Sequence, residues 1–157
     1  MKARNFITLI CLSLMMLMLI GCGTGDVTEV TNMIFSEETG FREFEWGVPG
    51  YLVRKEETAP IIYEGDGRLM YWDKTFGYDS NITYCFTEQN KLNHGYVTIE
   101  SDETKETTFK NIASELDNLY GKPYEKKENH YRYLCSDNST IYLSKDGVNV
   151  AILYSQN

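Results

Sequence analysis

The stretch FKNIASELDNLYGKP, Phe109–Pro123, decides the fold class. Phe109, Ile112, Ala113, Leu116, Leu119 and Tyr120 recur at steps of three and four. On a 3.6-residue helix they form one apolar stripe. Gly121 suits the left-handed position just past a helix, and Pro123 cannot continue one. The segment therefore predicts a helix that must bury one face against another layer of structure.

The flanking sequence supplies that layer. On the C-terminal side, Tyr131–Cys135, Thr140–Leu143 and Val148–Tyr154 read as a three-strand meander turning at Asp137-Asn138 and at Asp146-Gly147. The Asp-Gly pair is a two-residue hairpin signal. On the N-terminal side lie four strand candidates, Ile61–Glu64, Arg68–Trp72, Ile82–Phe86 and Leu92–Ile99, with Gly65-Asp66-Gly67 as a tight hairpin. Ile82, Tyr84 and Phe86 alternate with Thr83, Cys85 and Thr87, which sets a core face and a wetter one. Leu92 has the opposite parity to Val97 and Ile99, and a bulge near Gly95 would reconcile them. Before these strands, Phe44 and Trp46 share a face of a short strand, and Pro49 opens a short helix carrying Leu52 and Val53 that ends before Pro60. The expected fold is α+β: two helix-plus-antiparallel-meander units, a weak internal duplication, with the helices packed on one face of the sheet. Residues 41–157 make this single domain.

The first residues have a different character. Lys2 and Arg4 precede an apolar run from Phe6 to Ile20, which is too short to span a bilayer and has no stop-transfer charges behind it. It ends in Leu19-Ile20-Gly21-Cys22, which resembles the lipobox of bacterial lipoproteins. That resemblance implies cleavage after residue 21 and a lipid on the Cys22 thiol, with the protein held by its lipid at the extracytoplasmic side of the cell membrane. An ordinary secretory signal, or a buried apolar helix that happens to end in Gly-Cys, is the alternative. Residues 22–40 are polar apart from Val27, Val30, Met33, Ile34 and Phe35 and read as a lipidated tether, with room for a short docking element near Met33 to Phe35.

A formal net charge of -8 argues against nucleic acid and against an electrostatic grip on anionic headgroups. Twelve Tyr, seven Phe and two Trp suit sheets with half-exposed faces. With Cys11 in the signal and Cys22 lipidated, Cys85 and Cys135 remain. An exported compartment permits a disulfide between them, and two free, packed thiols fit the sequence equally well.

Motifs that carry chemistry are sparse. His94 and His130 have no second ligand at metal-binding spacing, so zinc is not expected. Cys85 sits in an alternating strand, where packing is a better reading than nucleophilic catalysis. The sequence has no nucleophile elbow, phosphate-cradling glycine loop or dinucleotide fingerprint, and no cofactor is expected. Glu64-Gly65-Asp66-Gly67 and Asp79-Ser80-Asn81 lack the oxygen spacing of a calcium loop and read as solvated turns. Asn81-Ile82-Thr83 and Asn138-Ser139-Thr140 match the glycosylation sequon by chance. The densest aromatic group is Tyr71, Trp72, Phe76 and Tyr78. Tyr71, Trp72 and Tyr78 could form an exposed contact ridge, or part of the group could cap the core beneath the second helix.

Phe44-Glu45-Trp46-Gly47, the strand Ile82–Phe86 leading to Lys91-Leu92, and Leu119-Tyr120-Gly121-Lys122-Pro123 resemble small uncharacterised bacterial lipoproteins. Their layout is similar to the β-lactamase-inhibitor-protein-like fold. The resemblance implies a protein-binding sheet face with another envelope protein as partner, and it carries over no catalytic residues. The expectation is thus a non-enzymatic binding domain on a membrane tether. The competing reading is an enzyme acting on cell-envelope polymer through paired carboxylates, which needs two such groups converging in a cleft.

Overall fold

A computed structural model describes residues 40–156. The elements in chain order are β1 (Gly40–Phe41), β2 (Phe44–Glu45), α1 (Gly50–Glu56), β3 (Ile61–Gly65), β4 (Arg68–Thr75), β5 (Tyr78–Phe86), β6 (Leu92–Glu100), α2 (Lys105–Tyr120), β7 (Glu125–Lys126), β8 (His130–Leu134), β9 (Thr140–Ser144) and β10 (Val150–Ser155). The molecule is α+β. β3 to β10 form one eight-stranded sheet in the order β3-β4-β5-β6-β10-β9-β8-β7, antiparallel at every junction. The join at the centre pairs Val97 with Ile152 and Ile99 with Val150.

α2 forms where the periodicity requires it. Thr104 caps its first turn, its side chain accepting from the Thr107 amide at 3.2 Å, and Gly121 ends it with φ 78°. Its buried stripe is Thr108, Phe109, Ile112, Ala113 and Leu116. Each large apolar side chain there adds about 1.5–3 kcal/mol of burial. Leu119 is 43% exposed and lies outside that stripe.

Strand parity sorts the sheet into two faces. Leu69, Tyr71, Ile82, Tyr84, Val97, Ile99, Ile152, Tyr154, Ile141, Leu143 and Tyr133 pair across strands on the core side. Val53 of α1 and the buried stripe of α2 belong to the same hydrophobic cluster. Cys85 pairs with His94 but Phe86 pairs with Leu92, so Asn93 is the extra residue of a bulge that turns Leu92 inward. Beside it, Gly95 occupies a core position between Tyr84 and Tyr154. Phe41 lies directly on this glycine: a Cβ there would stand 2.1 Å from Phe41 Cδ1. The ring packs edge-on against Tyr84 at 5.1 Å and near Tyr154 at 6.3 Å. The β1–β2 hairpin is therefore an aromatic plug seated on a gap in the sheet's side-chain layer, with Phe44 against Tyr84 and Trp46 against Tyr154.

Several local details differ from the sequence reading. The Asp66-Gly67 turn forms as expected, with φ 50° and 68°, and an equivalent turn at Phe76-Gly77 has φ 51° and 81°. The second turn lengthens β4 to Thr75 and starts β5 at Tyr78. Asp146-Gly147 does not close a two-residue hairpin: Ser144 pairs with Ala151, and Val148 is 93% exposed. Register here follows the core residues of β9 and β10, while the longer loop is held by Lys105 donating to the Gly147 carbonyl at 2.7 Å and by the Lys145–Glu106 ion pair. β7 is a further strand paired to β8. Gly40, assigned to the tether, already pairs with Glu45. The expected signal peptide, Cys22 and the rest of the expected tether lie outside the described residues.

Candidate functional site

The alternate residues of the long strands form the second face of the sheet. One cross-strand row runs Met70, Thr83, Tyr96, Leu153, Tyr142, Arg132, and the next runs Trp72, Asn81, Thr98, Ala151, Ser144, His130. Thr83 is buried, and the remaining members are half-buried or exposed, Trp72 at 41%. Leu134, farther along β8, is 54% exposed. A half-exposed sheet face carrying Met, Trp, Tyr and Leu on neighbouring strands has the composition found at the centres of protein interfaces. Its β8 end is charged: Glu125 draws in Arg132 at 3.1 Å, Lys127 at 2.5 Å and His130 at 3.6 Å. The cations, Lys127 first, hold the Glu125 carboxyl below its ordinary pKa. Arg132 and His130 also lie against the Tyr142 ring.

Of the two readings of the aromatic group, the exposed ridge does not form and the core takes part of it. Successive strand residues point to opposite faces, so Tyr71 is buried against Tyr84 in the core while Trp72 emerges on the other side. The Phe76-Gly77 turn sets Tyr78 opposite Thr75, half-buried, where its hydroxyl donates to Glu103 at 3.0 Å and accepts from Asn111 of α2 at 2.9 Å. Of the three, Trp72 alone is exposed. The disulfide is absent as well, because Cys85 and Cys135 are both free and buried. Cys85 is on β5 and Cys135 follows β8, four strand spacings away or ~19 Å, well beyond the ~7 Å a disulfide can bridge. Burial pushes the Cys135 thiol up to about 11, with a hydrogen bond to Tyr154 opposing the rise and Asp137 adding to it.

On the opposite, core side of the sheet lies a buried charged group of which sequence reading gave no sign. Arg42, at the β1–β2 turn with φ 59°, folds its guanidinium beneath the hairpin, where the side chain is 7% exposed. A bulky residue in the left-handed region is strained, and the strain is held by two carboxylates. Nη2 donates to Asp73 of β4 at 2.7 Å, and Nε lies 3.4 Å from Glu57 Oε2 just past α1. Burial opposes the charge, but the Tyr84 oxygen, Asp73 and Glu57 outweigh it and keep the guanidinium protonated. Tyr84 donates a short hydrogen bond to Glu57, whose other oxygen accepts from the Thr58 and Ala59 amides. Burial drives the Tyr84 hydroxyl far above its ordinary pKa. Glu57 and Asp73 are thus carboxylates brought together, but around a cation that consumes their charge. The cluster ties the plug, α1 and β4 into one body.

Among the described residues, no group of three or more His, Cys, Asp or Glu is placed to hold a metal ion, and no helix is long and apolar enough to cross a membrane. Asp66, in one of the acidic turns, accepts from the Tyr63 hydroxyl at 2.8 Å. Comparison of the chain with protein-family models, with curated proteins and with solved structures returns no match.

Proposed function

We propose that the chain is an exported lipoprotein, anchored through lipid on Cys22, whose domain binds another protein of the cell envelope through the Trp72–Tyr96–Leu153–Tyr142 face of its sheet and catalyses no reaction. The observation that carries this reading is that Tyr96, Leu153 and Tyr142 stand half-exposed side by side on three adjacent strands, with Met70 in the same row beyond the buried Thr83. Such groups give large contact area at small entropic cost. The likeness of Leu19-Ile20-Gly21-Cys22 to a lipobox supports the anchor.

The architecture in this reading is two helix-plus-meander units related by a weak duplication, with both helices on the face opposite the partner. It is supported by α1 preceding β3–β6 and α2 preceding β7–β10 in the chain, and by Val53 and Leu116 sharing one buried cluster.

Two measurements test the proposal. Cys22→Ala should abolish incorporation of labelled fatty acid, and undiminished labelling would overturn the anchor. Tyr96→Glu with Leu153→Lys should remove a partner captured by cross-linking on intact cells while the variant keeps its near-ultraviolet circular dichroism. Retention of the same cross-linked partner by that folded variant would overturn the sheet-face assignment.

A further inference from the structure

A cleft of about 360 Å³ opens on the other side of the β3–β4 hairpin from the sheet-face rows, between that hairpin, α1 and the end of β5. Its base is Leu69 and Phe86, and Tyr51, 65% exposed, stands at the rim. Glycines floor it. A Cβ at Gly50 would lie 2.5 Å from Asn90 Oδ1, one at Gly65 would lie 2.8 Å from the Tyr63 hydroxyl, and Gly67 has φ 68°. The space over Gly50 and Gly65 is thus already taken by the Asn90 and Tyr63 side chains, and the open volume of the cleft is bounded by Tyr51, Arg54, Arg68 and Phe86. The volume falls within the range of small-molecule sites, about 300–1,000 Å³.

The charges lining the cleft are Arg54, Arg68 and Glu64. Arg54 gives Nε to Glu64 Oε2 at 3.1 Å, leaving both terminal nitrogens without a hydrogen bond among the described residues. Among the described residues Arg68 has only Asp66, at 4.0 Å, and Asp66 is already held by Tyr63. Two guanidinium groups meet one carboxylate in the lining and a second, Asp66, 4.0 Å from Arg68, so the cleft offers unengaged N–H donors without a large net charge. A guanidinium fork fits a carboxylate in two parallel hydrogen bonds. A dianionic phosphate would exceed the local charge and meet Glu64.

We infer that this cleft is a binding site for a small monoanion, a carboxylate carried on a flat ring, with the ring on Phe86 and under Tyr51 and the carboxylate between Arg54 and Arg68. The site is separate from the sheet face and independent of the partner proposed there. Its test is a titration of the full-length ¹⁵N-labelled chain in detergent with benzoate, benzamide and acetate, followed through the amides of Gly50, Gly65 and Gly67. Benzoate should shift these three saturably. Benzamide, which lacks the charge, and acetate, which lacks the ring, should each bind at least about tenfold more weakly, the loss expected for one charge-assisted pair or one buried ring face. Arg68→Gln and Arg54→Gln, both at half-exposed positions, should each weaken benzoate to a similar extent. Absence of a saturable shift, or equal binding of benzoate and benzamide by the unaltered protein, would overturn the inference without recourse to any variant. Undiminished benzoate affinity in both variants would overturn it as well.

Discussion

The two halves of the sheet bury their core faces by different means. α2 packs on β8, β9 and β10 with a regular apolar stripe. The neighbouring region around β5 and β6 is filled by a two-stranded hairpin whose Phe41 rests on Gly95 and whose Arg42 is locked to Glu57 and Asp73. The helix-covered half is built from many interchangeable contacts that add up. The plugged half adds to Val53, Phe44 and Trp46 one ring seated on one glycine and one buried cation. A contact layer made of a few large groups concentrates the cost of losing any of them.

Removing Phe41 tests that contrast most severely. Phe41→Ala should destabilise the fold by about 3–5 kcal/mol in urea denaturation, because the cavity lies over backbone that cannot collapse into it. Leu116→Ala, the matching change under α2, should cost about 2–5 kcal/mol and fall below Phe41→Ala, since neighbouring helix residues can move inward. A larger loss at Leu116 would reverse the ranking of the two halves.

Gly95→Ala should cost about 1–3 kcal/mol by forcing the Phe41 ring off the sheet. The same change made in a Phe41→Ala background should cost much less, because the clash partner is gone. Equal costs in the two backgrounds would show that Gly95 serves strand geometry and not the plug.

Cys135 offers a pH-dependent probe of the seam between the halves, where it contacts Tyr154. A thiol in an unfolded chain titrates near ~8.5, whereas burial pushes this one up to about 11 in the fold. The folded state therefore binds the proton more tightly. The stability that this provides is fully present below pH ~8.5 and is lost as pH rises toward 11. Relative to Cys135→Ala, the unaltered protein should lose more stability across that window, and parallel curves would place the thiol in a wetter setting. At the smallest scale, Thr104→Ala removes the cap of α2 and should cost about 1 kcal/mol. A denaturation midpoint unmoved by that change would mean that the first turn is held by Lys105 and Glu106 and not by its cap.

The four aromatics of β4, β5 and the turn between them show what the sequence left open between an exposed ridge and a core cap: Tyr71 joins the core and Trp72 does not. Tyr71, Trp72, Phe76 and Tyr78 look like a cluster in one dimension, but a strand sends neighbours to opposite faces. The cue in the sequence is Phe76-Gly77 as a two-residue turn, with Gly at its second position and an aromatic where Asn or Asp is usual. Gly95 was singled out as the site of a bulge, which lies two residues away at Asn93, while its role beneath Phe41 required knowing what stood above it. Arg42 gave no signal, because a single arginine between two aromatics reads as a surface residue.

Periodicity and turn chemistry, which act within about ten residues, determined on their own the α2 stripe from Phe109 to Leu116, its glycine stop, the strand alternation of β5, the parity break in β6 and the Asp66-Gly67 hairpin. The tertiary structure alone decided the pairing of β6 with β10, the plug on Gly95, the burial of Arg42 and the separation of Cys85 from Cys135. Each of these depends on which distant strands become neighbours, and that choice is made by the packing of the whole core, which no local pattern encodes.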